Sequence, residues 1–343
     1  IRRTVTPARP RTAVWKSALW GGVCGTLPDL DAFIDHGDAV LNMTRHRAES
    51  HALVWLTLAS PAIAWAVARA AREPGLFRRW WLAVWAVLVT HPLLDAMTVY
   101  GTQLALPFSD HPYGVASLFI IDPLYTLPLL VGLGAALRGG PAALRWNAIG
   151  LALSTAYVGW SVFAQQQVSA VARETLAMRD GAVARDARIL VTPTAFNTLL
   201  WRVVVMHDDR YEEGFRSLLD RTPTMRFDAF PNGRALYETV RTIPAVERMA
   251  RFTHGFFRVA EADGRLVLTD LRMGQEPWYA FSFVVAARGN PGLHPVVPVN
   301  VGGRRGIDVA ASLRWLRLRA LGTELAPPRC SRAARAARLN CGL

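Results

Sequence analysis

The sequence predicts an α-helical membrane bundle of about five segments, followed by a small α+β domain outside the membrane. Apolar residues make up 52% of the 343 residues and are concentrated in the first half, in long stretches separated by short polar connectors. The chain also has 12 Trp residues, which are favoured at membrane–water interfaces. After residue 165 the composition becomes more polar and short strand patterns begin, so we place the membrane domain at 1–165 and the α+β domain at 166–343.

The apolar stretches of the first half have the lengths expected of membrane helices. Crossing the hydrocarbon core takes about 20 helical residues, with some allowance for thinning and tilt. The first stretch is short for a span and runs directly into an acidic pair. The stretches are 14–27, 52–70, 80–100, 117–137 and 146–164.

Basic residues indicate how these segments are oriented. Arg and Lys collect on the cytoplasmic side of membrane proteins. They cluster here in the N-terminal flank and in the connectors 69–79 and 138–145. The opposite ends of the segments, and everything after residue 164, are then expected to lie outside the cytoplasm. A disulfide between Cys330 and Cys341 would be possible there.

The net charge of +13 does not by itself indicate a nucleic-acid partner. The Arg residues lie largely in the short connectors and in the C-terminal half, and no recognition motif accompanies them. We therefore expect membrane lipid, and no nucleic acid, as a partner. The sequence does not identify a protein partner for the C-terminal domain.

Two polar pairs lie at the ends of apolar segments, away from the basic connectors. Asp29 and Asp31 flank Leu30, so in an extended or turn backbone both carboxylates point the same way. The alternative is a helix cap with a solvated loop. His91 and Asp95 are four residues apart and project from one face of a helix. Their alternative is a buried His–Asp hydrogen bond that stabilises helix packing.

A third polar cluster contains His46 and His51. Their spacing does not match the HExxH zinc motif, in which both histidines lie on one helical face. Joint ligation would require a helix that begins near Ser50, with His46 on the preceding loop. The alternative is two interfacial histidines held by hydrogen bonds.

Together the three clusters predict one divalent metal site. Imidazoles with carboxylates suit Zn, Mn or Fe, and the carboxylates argue against a closed structural zinc site, which usually contains Cys. An ion with an open position lowers the pKa of its bound water toward ~7 and so generates a hydrolytic nucleophile. Arg47 is expected to stabilise negative charge on a phosphate or carboxylate, or else to contact a lipid headgroup. Asp122, directly before Pro123, is expected to orient a ligand, or else to cap a helix with Pro at its first position.

At these residues the sequence resembles the YdjM-like family of bacterial inner-membrane proteins, which are regarded as metal-dependent hydrolases. The motifs that match are LPDLD (27–31), HRAESH (46–51), HPLLDAMTVYGTQL (91–104) and IIDPLYTLPLL (120–130), with FNTLLWRVV (196–204) and TDLRMG (269–274) in the second half.

The resemblance implies a metal-dependent hydrolase of the bacterial inner membrane. With the orientation that the basic connectors indicate, we expect a multi-pass protein whose C-terminal domain lies in the periplasm. Its substrate is expected to be a lipid-linked or phosphate ester. The alternative is a non-catalytic envelope scaffold or stress protein whose His/Asp cluster is structural. The implied metal ligands are Asp29, Asp31, His46, His51, His91 and Asp95.

Overall fold

The computed structural model describes residues 12–181, 187–290, 292–303 and 306–329. A helical N-terminal region is followed by a β-sheet domain, which agrees with the predicted order of the two parts. Cys330 and Cys341, the pair proposed for a disulfide, lie outside the described residues. The N-terminal helices are α1 Val14–Thr26, α2 Ala39–Arg45, α3 Leu53–Ala70, α4 Phe77–Asp95, α5 Pro123–Arg138 and α6 Ala143–Asp180.

Two of the described helices, α3 and α6, are long and apolar enough to cross a membrane. Helix α5 is apolar but has only 16 residues, and α1 has 13. Helices α1, α3 and α4 pack around a shared apolar core that includes Cys24, Val67, Val84 and Leu88. The structure thus supports two of the predicted membrane segments by length and composition, and the five-segment bundle stays a prediction.

Helix α6 connects the two parts of the chain without a break. It has 38 residues, so it is about 57 Å long at 1.5 Å per residue. The change in composition near residue 165 falls inside this helix. Its second half presents Ala164, Val168, Ala172 and Leu176, spaced four apart, to the first sheet of the β domain.

The β domain contains two four-stranded antiparallel sheets, with strand orders β1-β2-β3-β4 and β10-β9-β6-β5. Asp263 and Gly264 form a hairpin turn, since Ala262 pairs with Arg265 and both turn residues have positive φ, as a type I′ turn requires. The strands are β1 Arg188–Pro193, β2 Leu200–Met206, β3 Arg210–Ser217, β4 Phe227–Pro231, β5 Phe257–Ala262, β6 Arg265–Asp270, β7 Gly274–Gln275, β8 Trp278–Tyr279, β9 Ser282–Gly289 and β10 Gly292–Asn300. The helices of this domain are α7 Arg234–Val240, α8 Pro244–Phe252 and α9 Val309–Ala320.

The two parts of the chain share one apolar core. Val40 and Met43 of α2 pack with α8 and with the inner face of the second sheet. Tyr100, from the segment after α4, joins the same cluster and lies edge-on to Phe252 and Phe281. The polar residues around α2 and the end of α4 are therefore held directly against the β domain.

Candidate metal centre

Four side chains from three separate segments converge at the end of α4. They are Asp29, His51, His91 and Asp95, and one ligand atom from each lies within 4.8 Å of the others. Each histidine Nε2 faces both carboxylates: His51 Nε2 is 3.4 Å from Asp29 Oδ1 and 3.3 Å from Asp95 Oδ2. The corresponding distances from His91 Nε2 are 3.5 and 3.4 Å.

These separations fit the edges of a coordination shell. Ligand atoms that lie about 2.0–2.2 Å from one tetrahedral ion are roughly 3.3–3.6 Å apart. Three of the atoms, His51 Nε2, His91 Nε2 and Asp95 Oδ2, are buried and have no hydrogen-bond partner. Each unpaired buried polar atom costs about 1–3 kcal/mol, which a cation at this point would offset. The group can therefore hold a metal ion.

The local backbone explains why only one of the two neighbouring aspartates joins this group. Residues Pro28–Phe33 form a 3₁₀ helix, and not the extended or turn backbone that we expected from the sequence. With about three residues per turn, side chains two positions apart diverge by roughly 240°. Asp29 therefore turns toward His51 and His91, whereas Asp31 turns toward the segment that follows α2.

Asp31 and His46 form a second layer behind the four-residue group. Asp31 Oδ1 is 2.8 Å from His46 Nδ1, and Asp31 Oδ2 accepts a hydrogen bond from Arg47 N. Ser50 Oγ donates to the same oxygen at 2.5 Å. Burial alone raises the pKa of Asp31, but the hydrogen bonds from His46, Ser50 and Arg47 outweigh burial and lower the pKa to about 2. We assign Asp31 and His46 to positioning, and not to direct ligation.

Ser50 connects this layer to the candidate ligand His51. An ionised carboxylate only accepts hydrogen bonds, so the hydroxyl proton of Ser50 points to Asp31. Ser50 Oγ must then accept from His51 Nδ1, which is 2.8 Å away. This assignment protonates His51 at Nδ1 and leaves the Nε2 lone pair facing the carboxylates. Ser50 can thus act as a hydrogen-bond relay. Helix α3 begins at Leu53, so Ser50 does not start the helix that joint ligation by His46 and His51 would require.

Arg47 is buried beside the group. Its side chain is 3.2 Å from Asp95 Oδ1, donates to Thr98 Oγ1 and lies 5.0 Å from the centre of the Tyr100 ring. Only 5% of the residue is exposed. These contacts orient Asp95 and balance its charge, so we assign Arg47 to holding a candidate ligand rather than to contacting a substrate.

Asp122 does not join the group. Asp122 Oδ1 accepts from Leu124 N at the start of α5, and Asp122 Oδ2 accepts from Tyr157 OH at 2.9 Å. Of the alternatives raised by the sequence, these contacts match a helix N-cap followed by Pro123 at the first helical position. We therefore assign Asp122 to capping α5 and joining it to α6, and not to orienting a ligand.

Sequence reasoning did not assign Tyr100 to the site. Its ring packs edge-on against His46, and its hydroxyl donates to Met43 O at 2.7 Å. On the other side of this residue, Arg272 donates to Tyr100 O while Asp270 holds the guanidinium. An aromatic residue close to two polar motifs is a weak signal, because aromatic side chains are common in protein cores without any role at a site.

Comparison with known proteins gives one family match. No curated protein and no solved structure matches the chain significantly. Residues 3–168, just under half of the chain, match the model of the YdjM inner membrane protein family and include all four side chains of the candidate metal centre. The resemblance to this family that the sequence motifs indicate is thus found over residues 3–168.

Proposed function

We propose that this protein is a membrane-bound, metal-dependent hydrolase that acts on a lipid-linked or phosphate ester. The observation that supports it most directly is the convergence of four potential ligands, three of which have buried atoms without a hydrogen-bond partner. A divalent ion such as Zn, Mn or Fe would lower the pKa of a water molecule there and polarise the ester. We propose Asp29, His51, His91 and Asp95 as the residues that hold it.

The residues next to the four proposed ligands have distinct roles in this proposal. Asp31, through Ser50, keeps His51 in the tautomer that ligation requires. Arg47 holds Asp95 in place. The Nδ1 atom of His46 is occupied by Asp31, so its Nε2 atom is the candidate to take up or deliver a proton.

Accessibility indicates where a substrate would approach. The side chain of Asp29 is 48% exposed, whereas those of His91 and Asp95 are 19% and 15% exposed and that of His51 is fully buried. The Asp29 side is therefore the open side of the group. We further propose that the metal centre lies at the periplasmic end of the helices and that the β domain is in the periplasm, because the basic connectors lie at the other ends of the helices.

Metal analysis of the purified full-length protein tests the proposal. We expect stoichiometric metal in the wild type and its loss in His91→Ala and Asp95→Ala, because each substitution removes one ligand and leaves the others unpaired. His207→Ala is a matched control, since His207 lies in the β domain beside Glu212. It should retain the metal.

Hydrolysis is measured on the same samples with p-nitrophenyl phosphate and with phosphatidic acid. Activity that disappears together with the metal supports the hydrolase. Folded wild type without metal contradicts the metal centre. Bound metal without hydrolysis of either ester favours the alternative, an envelope scaffold that the ion stabilises.

A further inference from the structure

Large apolar side chains are exposed around the end of the bundle where the candidate metal centre lies. Phe33 is 87% exposed and Phe108 is 83% exposed. Four others are more than half exposed. We call this set the apolar rim: Leu30, Phe33, Ile34, Phe108, Ile120 and Ile121.

The backbone fixes the rim close to the candidate metal centre. Leu30 lies between Asp29 and Asp31, and Phe33 ends the same 3₁₀ helix. The segment before Phe108 is joined to the site, because Gln103 N donates to Arg47 O. The segment before Ile120 is joined to the residues after Asp95, because the N–H groups of residues 117 and 118 both donate to the carbonyl of residue 97.

The outer surface of α4 is apolar at the level of the candidate ligands. Leu93 is exposed and lies between His91 and Asp95 in the sequence. At 100° per residue it is about 200° around the helix from each of them, so it lies on the opposite, outward face. Leu82 and Trp85 are also exposed on this helix. The exposed apolar surface of α4 thus reaches the level of the candidate metal centre. The apolar rim continues this surface beyond that level.

Water is an unfavourable environment for such a surface, and a bilayer is a favourable one. Continuity with the exposed apolar residues of α4 and the match of residues 3–168 to an inner membrane protein family both favour lipid over another partner. Directly after the rim residue Ile34 the chain becomes polar, with Asp35, His36 and Asp38. This change from apolar to polar residues is expected where a chain leaves the hydrocarbon region of a bilayer.

We propose that the apolar rim is embedded in the bilayer, so that the candidate metal centre lies below the membrane surface and receives its substrate sideways from the lipid phase. The substrate is then an amphiphile whose polar head reaches Asp29 while its apolar chains stay among the lipids. The inference about the substrate rests on the proposed hydrolase function, whereas the inference about the depth of the apolar rim does not.

Fluorescence quenching in vesicles tests the depth of the rim. Single-cysteine variants Phe33→Cys and Phe108→Cys are made in the full-length chain with Cys24, Cys330 and Cys341 replaced by Ser, labelled with bimane and reconstituted into phosphatidylcholine. Leu219→Cys is the matched control, since Leu219 is an exposed apolar residue of the β domain.

Brominated lipid should quench both rim labels and iodide should not, whereas the Leu219 label should show the reverse. Iodide quenching of the rim labels equal to that at Leu219 overturns the inference. Shielding of the rim labels from both quenchers overturns it as well, because a second copy of the chain would then cover the rim.

A kinetic comparison tests the route of the substrate. The double variant Phe33→Asp/Ile34→Asp should keep its metal and its rate on p-nitrophenyl phosphate, but lose about tenfold or more on phosphatidic acid in vesicles, because two charged side chains no longer enter the lipid. An equal effect on both substrates overturns the sideways route. If the wild type hydrolyses neither ester, the proposed function fails and the quenching result still decides the depth of the rim.

Discussion

The proton of Ser50 determines the tautomer of His51, and so whether His51 Nε2 presents a lone pair to the candidate metal centre. Ser50 lies between Asp31, which only accepts hydrogen bonds, and His51 Nδ1. Such indirect partners typically change metal affinity by about 10–100-fold, since they hold the ligand in the correct tautomer and orientation. The proposed metal centre would thus depend on Ser50, although Ser50 is not one of its ligands.

We expect Ser50→Ala to weaken metal binding by roughly 10–100-fold without removing a ligand. The measurement is competition with a chromophoric chelator. Ser50→Thr keeps the hydroxyl and should restore most of the affinity. Ser161→Ala is the control, because the Ser161 hydroxyl also bonds to another side chain, that of Ser117, which is not part of the candidate metal centre. Equal metal affinities of Ser50→Ala and wild type would show that the Ser50 hydroxyl does not contribute to metal binding.

At the scale of elements, the start of α5 shows that an acidic residue within a matching family motif can have a structural role. Asp122 caps the helix through Leu124 N and also accepts from Tyr157 of α6. Tyr157 OH in turn contacts Thr198, just before β2. The residue therefore joins three elements, and its effect should be on stability and not on the metal.

We expect Asp122→Ala to destabilise the protein by about 2 kcal/mol, of which ~1 comes from the lost cap and ~1 from the bond to Tyr157. Metal content should not change. Asp308→Ala is the matched control, because Asp308 caps α9 by accepting from Ala311 N and has no second side-chain hydrogen bond to any of the described residues. It should cost only about 1 kcal/mol. Thermal unfolding and metal analysis check both variants, and metal loss in Asp122→Ala would contradict the assignment.

At the scale of the whole molecule, Tyr100 connects the candidate metal centre to the β domain. One side of the residue contacts His46 and Arg47, and the other contacts Phe252 and Phe281. The β domain thus supports the residues that orient the candidate ligands. This contact gives the C-terminal half of the chain a role at the site without contributing a ligand.

We expect Tyr100→Ala to cost about 3–5 kcal/mol in stability, as aromatic truncations in a core do, and also to weaken metal binding. Tyr237→Ala is the control, since Tyr237 packs in the same core against Phe257 and does not contact the site. It should destabilise the protein and leave metal affinity unchanged among folded molecules. Equal metal affinity in the two variants would show that Tyr100 contributes to core packing but not to metal binding.

Several features of this protein follow from local sequence alone. Long apolar runs form helices because few other structures satisfy a backbone among apolar side chains. The Asp263-Gly264 turn follows from the ability of these two residues to adopt positive φ. The placement of His91 and Asp95 on one side of α4 follows from the period of the helix, and in the structure His91 Nε2 lies 3.4 Å from Asp95 Oδ2.

The tertiary structure alone decided which polar residues meet. Asp29 and Asp31 are equivalent in the sequence, and only the 3₁₀ turn between α1 and α2 separates a candidate ligand from its support. Ser50 and Tyr100 acquire their roles through partners that are distant in the chain. The physical reason is that periodicity fixes the direction of a side chain within one element, whereas the distance between elements depends on how their apolar faces pack.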